Sequence, residues 1–250
     1  MSGHSKWAQI KRQKGVNDAR RGAIFTKVGR EITVAAREGG GDPAANFRLR
    51  LAVEKAREVN MPADNIQRAI NRGTGADKEG GQLEELYYEG YGPGGAAVMV
   101  QVLTDNRNRA AADVRNVFTR GGGNMGEGGS VAWMFDQKGL IVVELDGANA
   151  EEVELAAIEA GADDIQETEG VLEVYTDKTD LDAVRRTLDG QKLRISSADL
   201  VMVPKTTMDL DDKAATSVAR LMERLEELDD VQRVYANTEI SDEILESISG

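Results

Sequence analysis

The sequence predicts a multidomain α+β protein: a helical N-terminal domain plus two α+β domains, one ferredoxin-like and inserted in the other. Three observations lead there. Apolar residues recur at helical spacing through the first part of the chain. The order strand, helix, strand, strand, helix, strand fills residues 130–204, which is the split βαβ pattern. The flanking stretches, 82–129 and 205–240, are each too poor in elements to close a core alone. A chain of 250 residues also suits two or three small domains better than one, since a single core usually stops growing near this size. The domains expected are therefore 1–78, then 82–129 with 205–240, and 130–204.

Each element follows from local pattern. Residues 19–38 place Ile24, Phe25, Val28, Ile32, Ala35 and Ala36 on one helical face, and Gly39-Gly40-Gly41 ends the helix. A second helix, from near Ala44 to Val59, turns Leu49, Ala52, Val53 and Ala56 inward. Pro62 opens a third, which stops at Gly73. Strands around Tyr87 and at Val98–Leu103 flank the turn Gly90–Gly95, a hairpin signal. A helix at Arg107–Arg120 precedes the glycine-rich Gly121–Gly129, and Ser130–Trp133 reads as a strand. The inserted domain should hold strands at 140–145, 164–167, 171–175 and 193–203, with helices at 150–160 and 181–188. A last helix carries Leu210, Ala214, Val218, Leu221 and Leu225 on one face and is followed by a strand at 232–236.

Composition narrows the function. There is no cysteine and one histidine, His4, so thiol chemistry and histidine-based metal sites are excluded. No metal, cofactor or catalytic residue set is expected. No apolar run reaches the length of a membrane span, and the N-terminus lacks the apolar stretch of a signal peptide, so a cytoplasmic address without membrane contact is expected. The net charge of −13 is unevenly placed. Residues 1–78 hold 16 Lys/Arg and 8 Asp/Glu, a charge of +8; the other 15 basic and 36 acidic residues give the rest −21. A basic head on an acidic body points to a polyanion partner at one end.

The residues expected to meet it begin with an arm: Lys6, Lys11, Arg12 and Lys14 to neutralise phosphates, Trp7 to stack on an unpaired base, then Arg20 and Arg21. Lys27, Arg30 and Arg37 extend the basic theme along the first helix, opposite its apolar face. Arg68, Arg107 and Arg109 are candidates for secondary contact. Gly121-Gly122-Gly123-Asn124-Met125-Gly126 spells GxGxxG, but a helix precedes it and a strand is expected after it, the reverse of a dinucleotide fingerprint. Asp105 or Asn106 is a natural N-cap for the helix that follows.

Several blocks together carry a resemblance: Gly3-His4-Ser5-Lys6-Trp7, Asn60-Met61-Pro62, Asp64-Asn65-Ile66, Glu89-Gly90-Tyr91-Gly92-Pro93, Thr104–Arg109, and Gly129-Ser130-Val131 followed by Trp133. In this order they resemble the YebC family across essentially the whole chain. The resemblance implies three domains, the last two interleaved, and a non-enzymatic regulator of gene expression with no catalytic set to carry over. Bacterial members are described as probable DNA-binding transcriptional regulators, and some as ribosome-associated factors that relieve stalling at proline-rich stretches; the mitochondrial relative resembles a translational activator of a cytochrome oxidase subunit. The partner implied is thus DNA or ribosomal RNA, with the ribosome as a further partner. A DNA regulator would read bases with the third helix, through Asn65, Gln67, Arg68, Asn71 and Arg72. A ribosome factor would rely on the basic arm and exposed glycine-rich loops, and the physical features lean toward RNA. A binding module of another class, with the ferredoxin-like domain sensing a small molecule or docking a protein, is the alternative.

Overall fold

The computed structural model describes residues 18–76, 83–145, 147, 149–168, 170–191 and 193–249. It has two compact units: residues 136–203, and the described residues up to 135 together with 204–249. The fold is α+β, with helices first and two four-stranded sheets after them.

The larger unit begins with three helices, α1 (Asp18–Gly39), α2 (Phe47–Glu58) and α3 (Ala63–Gly73). Their core is made of their own residues, among them Val28, Ile32, Ala35, Leu49, Val53, Ala56, Met61, Ile66 and Ile70. Helix α2 starts later than its periodicity implies because Asn46 caps it. The buried Asn46 accepts from the Leu49 amide at 3.1 Å and donates to the Ala35 and Gly40 carbonyls at 2.7 and 2.8 Å. One side chain thus satisfies the start of α2 and the end of α1. Helix α2 ends in a Schellman motif: the Met61 amide reaches the Ala56 carbonyl at 2.8 Å and the Asn60 amide reaches Arg57 at 2.9 Å. Asn60 takes φ 58°, the left-handed position that asparagine tolerates best after glycine, and Pro62 then launches α3. A Cβ on Gly73 would lie 2.3 Å from the Thr33 carbonyl oxygen, so glycine is what lets α3 close against α1.

The same unit contains the sheet β3-β1-β2-β8, built from β1 (Glu84–Tyr91), β2 (Ala97–Thr104), β3 (Asn124–Met125) and β8 (Val231–Ala236). All three pairings are antiparallel. Helices α4 (Arg107–Arg120), α7 (Asp212–Glu226) and α8 (Asp242–Ser249) contribute to its core. Val98, Val100 and Val102 alternate inward from β2 and meet Phe118 of α4, Leu221 and Leu225 of α7, and Leu245 of α8.

The smaller unit contains β4 (Phe135–Glu144), α5 (Ala150–Ala160), β5 (Asp164–Thr168), β6 (Val171–Asp177), α6 (Leu181–Gly190) and β7 (Arg194–Pro204), in sheet order β5-β6-β4-β7. Its first and third strands are central, as the split βαβ motif requires. Ile141, Val143, Leu172 and Val174 are buried there, as are Val153 and Ala157 of α5 and Val184 and Leu188 of α6.

Ser130–Trp133 is a correction. It is a turn running into a short 3-10 helix, Ala132–Met134, and the strand starts only at Phe135. The amides of Val131 and Ala132 both point at the carboxylate of Glu89, so they are not available to a strand partner. Strand β3 and helix α8 have no counterpart in the sequence expectations.

Candidate nucleic-acid interface

Lys6, Trp7, Lys11, Arg12 and Lys14 lie outside the described residues, and Arg20 and Arg21 fall in the first turn of α1. The remaining candidates have defined surroundings. Lys27 donates to the Glu226 carbonyl at the end of α7, and Arg30 to the Asp229 carbonyl. Arg30 also pairs with the Asp230 carboxylate at 2.8 Å. Arg37, though exposed, donates to the Leu83 carbonyl just before β1. The stripe expected to face a polyanion is therefore turned toward the sheet. The side of α1 opposite its apolar face is not simply solvated, because residues far along the chain cover it.

Asp230 is the centre of this contact. Its buried carboxylate accepts from Thr104 Oγ1 at 2.8 Å and Arg109 Nη2 at 2.9 Å in addition to Arg30. Its own carbonyl accepts from the Leu103 amide at 2.8 Å. Such a carboxylate is tolerable in the interior because charge and lone pairs are both answered. Arg109 also pairs with Asp105 one turn earlier at 2.9 Å, and these two carboxylates raise its pKa above the ordinary guanidinium value. Of the two proposed caps it is Asn106 that acts, accepting from the Arg109 amide at 3.1 Å. A cleft of about 530 Å³ opens beside this cluster, lined by Arg30, Arg109, Asp113, Glu227 and Asp229 among others.

A second clamp lies farther along the bundle. Arg48 bridges Glu38 at 2.6 Å and Glu85 of β1 at 2.8 Å. Burial works against the charge on each partner. For Glu85 the Arg48 guanidinium, with Gln101 and Tyr87, outweighs it and holds the carboxyl below its usual range; for Arg48 the two carboxylates outweigh it and raise the pKa.

Arg68 and Arg107 are exposed. Arg68 bonds to Asn65 and to the Asp64 carbonyl on its own helix, and Gln67 donates to Asn71 at 2.9 Å. Both residues thus bond to neighbours on their own helix while remaining exposed. Arg107 pairs loosely with Glu84 at 3.4 Å, an exposed contact of small energetic weight.

Sequence reasoning missed Glu89. Its buried carboxylate accepts three backbone amides at 2.7 Å, from Gly129, Val131 and Ala132, while its own carbonyl accepts the Gly126 amide at 2.8 Å. It organises the end of the glycine-rich loop. Tyr91 Oη donates to the Ser130 carbonyl at 3.0 Å, and so does the Trp133 indole at 3.2 Å. Trp133 itself is 65% exposed. The available signal was Glu89-Gly90-Tyr91 ahead of a loop rich in glycine amides. Asp230 had no such signal, being one of four carboxylates in Glu226–Asp230.

Among the described residues no group of three or more His, Cys, Asp or Glu is placed to hold a metal ion, and no helix is long and apolar enough to cross a membrane. The arrangement defines an α+β protein with a basic helical bundle fastened by its cations to an acidic sheet unit. Residues 5–76 match the TACO1/YebC protein N-terminal domain, and residues 83–238 match the TACO1/YebC second and third domain. The chain belongs to the TACO1/YebC family. It is 56% identical to a "Probable transcriptional regulatory protein" of Herpetosiphon aurantiacus, over 98% of both chains. It is 54% identical to a protein of the same description from Rubrobacter xylanophilus, over the full length of both. The crystal structure of a conserved hypothetical protein from Aquifex aeolicus superposes with a TM-score of 0.87 at 48% identity, covering 96% of this chain and 99% of that one.

Proposed function

We propose that this chain is a cytoplasmic, non-enzymatic regulator of gene expression that binds nucleic acid through its basic N-terminal domain, residues 1–78, with RNA of the ribosome as the favoured target. In this reading 82–129 with 205–240 forms the second domain and 130–204 the third. The observation that carries it is the segregation of charge, +8 on residues 1–78 against −21 on the rest. An acidic body restrains indiscriminate contact, and a basic head supplies the counterion-release term that dominates such binding. The relatives named probable transcriptional regulatory proteins support a regulatory role. The closely spaced cations of the arm favour backbone contact over base reading. Lys6, Lys11, Arg12 and Lys14 neutralise phosphates, Trp7 stacks on an unpaired base, and Arg20 and Arg21 continue the track; Arg68 and Arg107 add outlying contacts.

Sedimentation tests this. In a sucrose gradient of lysate the protein should travel with ribosomal particles, and high salt or nuclease should return it to the top. Protein found only at the top, together with a promoter fragment preferred over random duplex by a factor on the order of 10³, would replace RNA by DNA as the target.

A further inference from the structure

Among the described residues, cations of the bundle reach carboxylates and carbonyls of the sheet unit. The bundle's own core uses residues from α1, α2, α3 and their connections. Among the described residues a small apolar cluster links it to the sheet, Val34 of α1 with Leu83 and Leu103. Cations also cross, among them Lys27 to the Glu226 carbonyl, Arg30 to the Asp229 carbonyl and the Asp230 carboxylate, Arg37 to the Leu83 carbonyl, and Arg48 to the Glu85 carboxylate. Three of these, Lys27, Arg30 and Arg37, make up the basic stripe of α1.

Lys27 and Arg30 both land on one short segment, Glu-Glu-Leu-Asp-Asp at 226–230. It presents carboxylates and the late carbonyls of α7, whose C-terminal end carries the negative pole of the helix. Closely spaced anionic oxygens on a backbone are also what a nucleic-acid strand offers. We infer that Glu226–Asp230 is an internal stand-in for a phosphodiester backbone, and that single-stranded nucleic acid competes with it for Lys27 and Arg30, so that binding undocks the helical bundle from the sheet.

The hub is built to survive that exchange. When Arg30 leaves, Asp230 keeps Arg109 and Thr104, so no buried carboxylate is stranded. The carbonyls of Glu226 and Asp229 lie at a helix end and the turn after it, where water can replace the departing donors. The undocked bundle retains its own core. Glu227, Asp229 and Asp230 line the cleft beside Arg109 and repel the phosphates of a strand held by the bundle, which disfavours re-docking while the strand is bound.

The inference rests on the nucleic-acid reading above, and one experiment separates the two. The chain has no cysteine, so Ala63→Cys and Asn116→Cys in the full chain give one label on α3 and one on α4. Oligouridylate is titrated while anisotropy reports binding and energy transfer reports docking. Transfer should fall severalfold as the oligonucleotide saturates. Asp230→Asn and Glu85→Gln, which weaken the two clamps separately, should each tighten binding by roughly tenfold; Glu85→Gln leaves the Asp230 hub intact should Asp230→Asn not fold. Binding with unchanged transfer and unchanged affinity in Glu85→Gln overturns the inference and leaves the nucleic-acid reading standing. Absence of binding overturns both.

Discussion

Residues 1–78 expressed alone should bind single-stranded RNA, whereas 82–250 should bind little or none. With about four to six phosphates contacted, log K should fall against log[salt] with a slope of roughly −3 to −5. The isolated head should also bind more tightly than the full chain, because Lys27, Arg30 and Arg37 no longer have Glu226, Asp229, Asp230 and Leu83 as partners. Filter binding or anisotropy over a salt series reads both quantities. A flat salt dependence, or equal binding by the two fragments, would remove the charge-segregation argument. The fragment has a physical basis for folding alone, since the buried apolar residues of its helices pack on one another.

The largest stability effect is expected at Glu89. Glu89→Ala strands three amides that now converge on one buried carboxylate. At about 1–3 kcal/mol for each unsatisfied buried group, with some relief from water, the loss should be about 4 kcal/mol. For a chain of this size that is a melting temperature lower by roughly 10 °C. Glu89→Gln should recover only part, because its amide NH₂ would confront N–H donors. The consequence is local as well: the turn holding Trp133 and the end of the glycine-rich loop should become susceptible to limited proteolysis. A shift below about 2 °C in Glu89→Ala would show that the loop is held by something other than this carboxylate.

Much of the fold was legible because it is local. The expected helix at 150–160 matches α5, and Gly39 and Gly73 end α1 and α3 as read. Periodicity also gave the strand and helix order of 136–203. What failed was non-local. Ser130–Trp133 has strand-like residues, but its amides belong to Glu89, forty or so positions earlier in the chain. Strand β3 is only two residues long, too short to leave a pattern. The site shows the same division. Helical spacing correctly set Lys27, Arg30 and Arg37 away from the apolar face of α1, but it reports the face and not what covers it. The partners of Lys27 and Arg30, at Glu226 and Asp229, stand 199 residues away. Arg48 is an anchor for the bundle because Glu85 on β1 sits opposite, a pairing that the periodicity of α2 does not report.

The central claim, that the basic head binds a nucleic-acid backbone, is tested most directly by the salt dependence of the full chain with Lys6, Lys11, Arg12 and Lys14 all replaced by Ala. Binding of single-stranded RNA is followed by anisotropy at several salt concentrations beside the parent chain. Loss of four phosphate contacts should weaken binding strongly at low salt and reduce the slope by about 3. An unchanged slope with unchanged affinity would contradict the account, since the arm would then contribute none of the attraction assigned to it.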